Sequence, residues 1–293
     1  MKTKTTILLL TAALLALPTV ATASPASSGA AWLATAQKPG ADGMSADALV
    51  ALRAGGRLTP AAARTRANAL RAGANRYAAT AGGTAKTILA LVAARSGSAR
   101  CAPGVDLLVR LQRQGHDGRY GTTIYDQAYG MLAIRALHAG PSARTIKVLK
   151  NARGAGGWNF ELTRSGGHAD DATATALAIL ALRAAGVPKS DGGLKAGLRW
   201  LRTQRTPAGG FALGRRDRNE ANSTALAIEA ARAMGSKDTR ATSALKSLQR
   251  PGGAFQFTRD DAGSRVLATN DAVVALSGHV LPVISLRSTP KAC

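Results

Sequence analysis

The run Ala178-Ile179-Leu180-Ala181-Leu182, with Gly186 behind it, decides the fold because the chain repeats it. The pattern returns at Ala133-Ile134-Arg135-Ala136-Leu137 before Gly140 and at Ala227-Ile228-Glu229-Ala230-Ala231 before Gly235. Weaker copies are Ala48-Leu49-Val50-Ala51-Leu52 before Gly55, Thr87-Ile88-Leu89-Ala90-Leu91 before Gly97, and Ala272-Val273-Val274-Ala275-Leu276 before Gly278. A period of roughly 40 residues marks an architecture built from one repeated supersecondary unit. Each run is nearly charge-free, which predicts a helix buried on most sides, and the glycine after it predicts a left-handed cap.

A second helix precedes each buried one, and a glycine-rich turn joins them. Trp200-Leu201-Arg202-Thr203-Gln204 leads to Gly209-Gly210-Phe211, Leu248-Gln249 to Gly252-Gly253-Ala254-Phe255, and Leu111-Gln112 to Asp117-Gly118-Arg119-Tyr120. Lys150-Asn151 leads to Gly156-Gly157-Trp158 without a glutamine, while Trp32-Leu33, Gln37 and Asp42-Gly43 open the series with Met44 at the aromatic position. The glutamine is expected to hydrogen-bond the turn, and the aromatic to plug the gap between neighbouring pairs. Aromatic residues make up only 4% of the chain, which argues against an all-β fold and for packed helices.

These residues resemble the repeats of the prenyltransferase and squalene-cyclase superfamily, whose degenerate motif runs aromatic-Leu, glutamine, then Gly-x-Trp. The resemblance covers about Trp32 to Gly278, with the second unit, around Arg64 to Gly97, the most eroded. It implies an all-α fold, an (α/α)6 toroid of six helix-hairpin repeats over residues 30–279, with inner helices lining a central cavity. Residues 24–293 are then one domain with a short C-terminal tail.

Residues 1–23 read as a secretory signal. Lys2 and Lys4 precede an apolar run from Ile7 to Leu17, and Ala21-Thr22-Ala23 offers a small-x-small cleavage site. The run is too short for a permanent span. The expected location is extracellular, where Cys101 and Cys293 either pair or remain a buried thiol and a frayed terminus. The formal charge is +23, from 39 basic and 16 acidic residues, with a local cluster at Arg215, Arg216 and Arg218. No nucleic-acid module accompanies that balance, so nonspecific contact with anionic cell-wall polymers or lipid head groups is the expected consequence.

Aligning the buried helices shows where polar groups gather. Seven residues before Ala133, Ala178 and Ala227 stand Asp126, Asp171 and Glu220. In a toroid these helix starts meet at one rim. Capping of free backbone N–H groups explains each carboxylate; they are equally placed to hold a polar head group above an apolar wall. Tyr125, Tyr129, His168, Asp170, Asn222, Asn270 and Asp271 are the neighbours expected to join them.

The segment His168-Ala169-Asp170-Asp171-Ala172-Thr173-Ala174 resembles the Asp-x-Asp-Asp-Thr-Ala acid motif of class II terpene cyclases and squalene–hopene cyclases. That resemblance would make Asp170 or Asp171 a proton donor to an alkene. Two departures weigh against it: His168 replaces the first Asp, and Ala172 intervenes before Thr173. Cyclases also steady carbocations with aromatic faces, yet most rings here are assigned to outer helices or turns, leaving Tyr77, Tyr125 and Tyr129. Zinc-dependent protein prenyltransferases use an Asp-x-Cys pair with a distant His; neither cysteine follows that spacing, and His116, His138, His168 and His279 form no ligand set. No metal or other cofactor is expected, and no serine sits in a Gly-x-Ser-x-Gly setting.

The reading favours a secreted toroid that binds an apolar or isoprenoid-like, polar-headed small molecule in its centre. The alternatives are an isoprenoid cyclase or transferase using an Asp acid, a corrinoid-binding helper, and a protein-interaction module. The corrinoid alternative comes from similarity to the helical domain of transcobalamin and intrinsic factor, carriers that grip a corrinoid with a second domain. The chain ends soon after the sixth unit, so none is expected here.

Overall fold

The computed structural model describes residues 23–164, 167–214 and 217–293. The signal segment therefore lies outside the described residues, as do Arg215 and Arg216, apart from Ala23 at the segment's end. In chain order the helices are α1 (Pro25–Ala36), α2 (Gly43–Ala54), α3 (Pro60–Ala72), the single turn α4 (Ala74–Tyr77) and α5 (Ala81–Ala94). They continue as α6 (Leu107–Gln114), α7 (Ile124–Ala136), α8 (Ala143–Asn151), α9 (Ala172–Ala184) and α10 (Gly192–Thr203). Last come α11 (Ala221–Ala233), α12 (Thr239–Lys246) and α13 (Arg265–Leu276). A two-stranded antiparallel ribbon, β1 (Cys101–Ala102) and β2 (Val105–Asp106), interrupts the series.

The inner ring is α2, α5, α7, α9, α11 and α13, each packed on the next, with α13 closing onto α2 and α1. These are the six apolar runs of the sequence. The outer helices α1, α3, α6, α8, α10 and α12 wrap them, so the chain is an (α/α)6 toroid. Closure is direct: Gln249 donates to the Pro25 carbonyl at 2.9 Å, and Asn270 to the Met44 carbonyl at 3.3 Å.

The turn aromatics do fill the gaps. Trp158, Phe211 and Phe255 are buried, and Tyr120 nearly so. Their backbone N–H groups are satisfied by a hydroxyl on the following inner helix: Trp158 by Thr175 at 2.9 Å, Phe211 by Thr224 at 3.0 Å, Phe255 by Thr269 at 2.9 Å. In the third unit Gly130 holds that position, because the Tyr120 ring lies where a side chain would be; an added Cβ would sit 2.5 Å from it. There Gln127 takes over and accepts the Tyr120 N–H at 2.9 Å.

Three expectations are corrected. Gln112 is exposed, and Gln114 instead bonds the preceding unit, donating to the Ala78 and Ala79 carbonyls ahead of α5. Gln204 bonds its own helix end rather than the turn, at Trp200 and Thr203. The left-handed cap after α7 is His138 at φ 65°, not Gly140, and the one after α2 is Gly56 rather than Gly55. In both cases the chain must reverse where the helix runs out of buried surface, and that point precedes or follows the glycine by a residue or two.

The tail is not loose. Val280, Leu281, Val283, Ile284 and Leu286 pack under the ring, and Leu286 donates to the Ala136 carbonyl at 2.8 Å. Cys293 is bonded to Cys101 with a Cα–Cα distance of 5.6 Å, so the tail is fastened at its end to the β1 ribbon.

Candidate functional site

All six inner helices run the same way, so their dipoles add instead of cancelling. The side chains oppose that sum. Asp47, Asp126, Asp171 and Glu220 stand toward the N-terminal ends of α2, α7, α9 and α11, while Asp271 lies midway along α13. Arg53, Arg95, Arg135, Arg183 and Arg232 stand at the C-terminal ends of α2, α5, α7, α9 and α11. The arginines are tied in series: Arg53 donates to the Ala93 carbonyl at 2.6 Å, Arg183 to Ala233 at 3.2 Å and Arg232 to Ala275 at 2.9 Å. The axis thus has an acidic mouth and a basic mouth.

Between them the ring is filled. The axial cavity measures about 20 Å3, room for about one water. Its walls are Asp47, Lys86, Tyr129, Glu229, Asn270 and Asp271, with Val50, Leu89 and Val274, and Leu281 of the tail is part of its lining. The expected open centre is therefore corrected: long side chains point inward and the tail closes the far end, so no isoprenoid fits on the axis. Lys86 is 2.7 Å from Asp47 and lies 4.9 Å from the Tyr129 ring centroid. Burial opposes the Lys86 charge, but Asp47 and the Tyr129 and Tyr77 hydroxyls outweigh it and hold the ammonium above its usual range. Burial pushes the Asp271 carboxyl up to about 6, with Asp47 adding to the effect and Asn222, bonded at 2.6 Å, opposing it. Burial likewise raises Glu229, whose Oε2 accepts the Leu281 N–H at 3.0 Å. The Asn270 Oδ1 is buried without a protein partner.

At the acidic mouth the expected residues divide. Asp171 caps α9, accepting the Ala174 N–H at 2.6 Å, and burial pushes its carboxyl up to about 6 against the amides that bond it. Tyr125 hydrogen-bonds Thr173, which meets Ser223 at 2.9 Å, which donates to Glu220 at 3.1 Å. This chain of polar groups links α7, α9 and α11 around the rim. Glu220 also accepts the Leu213 N–H at 2.8 Å. Asp126 is wedged in the wall between Gly121 and Gly82 and accepts from Thr123 at 2.8 Å. His168 is exposed, 3.7 Å from Glu161 and edge-on to Phe160.

Asp170 lies beside Asp171 in sequence but faces the turn. Its Oδ2 accepts the Gly156 and Gly157 N–H groups at 3.0 and 2.8 Å, so it holds the turn of its own unit. Phe160 packs against Tyr125 at a tilt of 46°, with ring centroids 5.6 Å apart. It belongs to a set. Among the described residues the large exposed hydrophobics are Met44, Phe160, Leu213 and Leu267. Met44 and Leu267 lie in the first turns of α2 and α13, and Leu213 lies in the loop before α11. All four ring the acidic mouth.

Sequence reasoning missed Asp47, Lys86 and Glu229. A signal was present: Asp47, Lys86 and Asp271 each immediately precede a repeated run, and Glu229 interrupts one. No group of His, Cys, Asp and Glu among the described residues is arranged to hold a metal ion, and no described helix is long and apolar enough to cross a membrane.

These features define an α/α toroid with a filled axis and an acidic, apolar-rimmed mouth. No protein-family profile and no curated protein sequence matches the chain. Solved structures do match: haptocorrin in complex with Cbi shares 15% identity at a TM-score of 0.57, over 91% of this chain and 69% of that one. The ent-copalyl diphosphate synthase of Streptomyces platensis shares 17% identity at a TM-score of 0.46, over 86% of this chain and 50% of that enzyme. The likeness to haptocorrin is one of fold.

Proposed function

We propose that the protein is an exported binding protein whose acidic mouth takes an amphipathic small molecule with a cationic head. One observation carries the reading. In a chain of net charge +23, the exposed large hydrophobics lie around the rim where Asp171 and Glu220 stand at neighbouring helix starts. An apolar stem would lie across Phe160, Leu213, Leu267 and Met44, and its head would approach the carboxylates that the helix starts hold in place. Binding is at the mouth rather than on the axis, because the axial cavity of about 20 Å3 admits no stem. Haptocorrin, seen in complex with Cbi, supports small-molecule binding as a use of this fold.

Calorimetry with geranylamine, geraniol and geranyl diphosphate tests the reading, since the stem is constant and only the head changes. Geranylamine should bind at least about ten-fold tighter than the diphosphate, and the pair Asp171→Asn with Glu220→Gln should remove that preference. Absence of geranylamine binding, or equal affinity for the diphosphate, sinks it. Export is checked separately by whether the protein from its own producer begins after Ala23.

A second reading keeps Asp171 as a general acid, favoured by a carboxyl raised to about 6 beside the Tyr125–Thr173 pair. Incubation with squalene or geranylgeranyl diphosphate, followed by gas chromatography, would yield new cyclic products only if that reading holds.

A further inference from the structure

The opposite mouth carries a site of its own. A groove of about 260 Å3 runs between the C-terminal ends of α7, α9 and α11 and the tail. Arg135 and Arg183 line it, with Leu180, Ala184 and Ala233 on one side and Val280, Leu281, Pro282 and Ser285 on the other. The two guanidiniums differ. Arg183 is anchored by the carbonyls of Ala233 and Val187. Arg135 is half-buried, and its guanidinium makes no hydrogen bond or ion pair among the described residues.

The Arg135 guanidinium nitrogens are thus left open at the groove rather than spent on the protein, and their planar fork of donors suits a carboxylate or phosphate. Helix C-termini are electronegative and tolerate the arginines, but they supply no acceptor at Arg135 itself. The carboxyl at this level, Glu229, lies on the axial side of Leu281, which lines both the cavity and the groove. Burial favours its neutral form, and its Oε2 is committed to the Leu281 N–H. It therefore does not neutralise the groove. The rest of the lining is largely apolar, enough to take a short stem behind the head.

We propose that this groove binds a small amphipathic oxyanion, with its head on Arg135 and Arg183 and its stem against Leu180, Ala184 and Val280. One wall is the tail, which the Cys101–Cys293 bond keeps in place, so the site depends on a segment remote in sequence from the helices it completes. This site is independent of the acidic mouth and takes ligands of the opposite charge, so either proposal can fail without the other.

The test is calorimetry on the full disulfide-bonded protein with octanoate, octyl phosphate, octanol and octyltrimethylammonium. Either anion should bind at least about ten-fold tighter than octanol, and a preference between them identifies carboxylate or phosphate as the head. Arg135→Gln should erase the preference over octanol, while Arg135→Lys should restore part of it. Ala184→Phe fills the groove while leaving both arginines in the sequence, and should abolish binding of both anions. No binding of either anion, equal binding of octanol, or an unchanged preference in Arg135→Gln overturns the proposal.

Discussion

Asp271 makes the fold pay a penalty for neutral pH, and Asp271→Asn should lift it. The carboxyl is held at about 6 in the native state, mainly by burial, against a reference of 3.8. The native form therefore binds more protons than the unfolded chain between those values. Stability from this group is fully present below pH 4 and is lost as pH rises through 6. The gap of about 2 pH units, at about 1.4 kcal/mol per unit, amounts to about 3 kcal/mol. Asp171 and Glu229 are raised by burial and act in the same direction, so the wild type should weaken steadily over this range. Asp191, held low by Lys150, and Asp106, held low by Arg100 despite its burial, titrate below the window and do not mask the trend. Urea unfolding at pH 4.5, 5.5, 6.5 and 7.5 measures it. Relative to wild type, Asp271→Asn should gain about 2 kcal/mol between pH 4.5 and pH 7.5, because part of the full difference already falls below pH 4.5. A wild type that becomes more stable over that range, or a variant with an unchanged slope, refutes the reasoning.

Two structural predictions accompany it. Thr224→Val removes the acceptor for the buried Phe211 N–H and should cost about 1–3 kcal/mol in urea unfolding, since no water reaches that amide. Cys293→Ser frees the tail from β1 and should lower stability by about 2–5 kcal/mol, with loss of hydrogen-exchange protection at Leu281 and Leu286, whose amides bond Glu229 and Ala136.

The helical repeats were legible because the units are near copies, and the ring they close came from the resemblance those units carry. Ala178–Leu182 and Ala227–Ala231 are apolar on nearly all sides, and only a helix enclosed by other helices satisfies such a stretch. The rim was half legible. The common register of Asp171 and Glu220 gave their height on the ring, but Asp126 at the same height faces the wall, because Gly121 and Gly82 leave it space there. Adjacent Asp170 and Asp171 looked alike in sequence, yet the start of α9 splits them between a turn and a mouth.

Repetition and helical period by themselves determined the fold class, the pairing of outer with inner helices, and the direction in which the inner helices run. Those properties are local and recur in every unit, so the chain states them several times over. The filled axis was decided only in three dimensions, where Lys86, Tyr129 and Asp271 come from different helices and meet Leu281 from the tail. The Cys101–Cys293 bond belongs to the same class, joining points 192 residues apart. Whether a ring is hollow depends on side chains that converge from all of its members, and no single segment carries that sum.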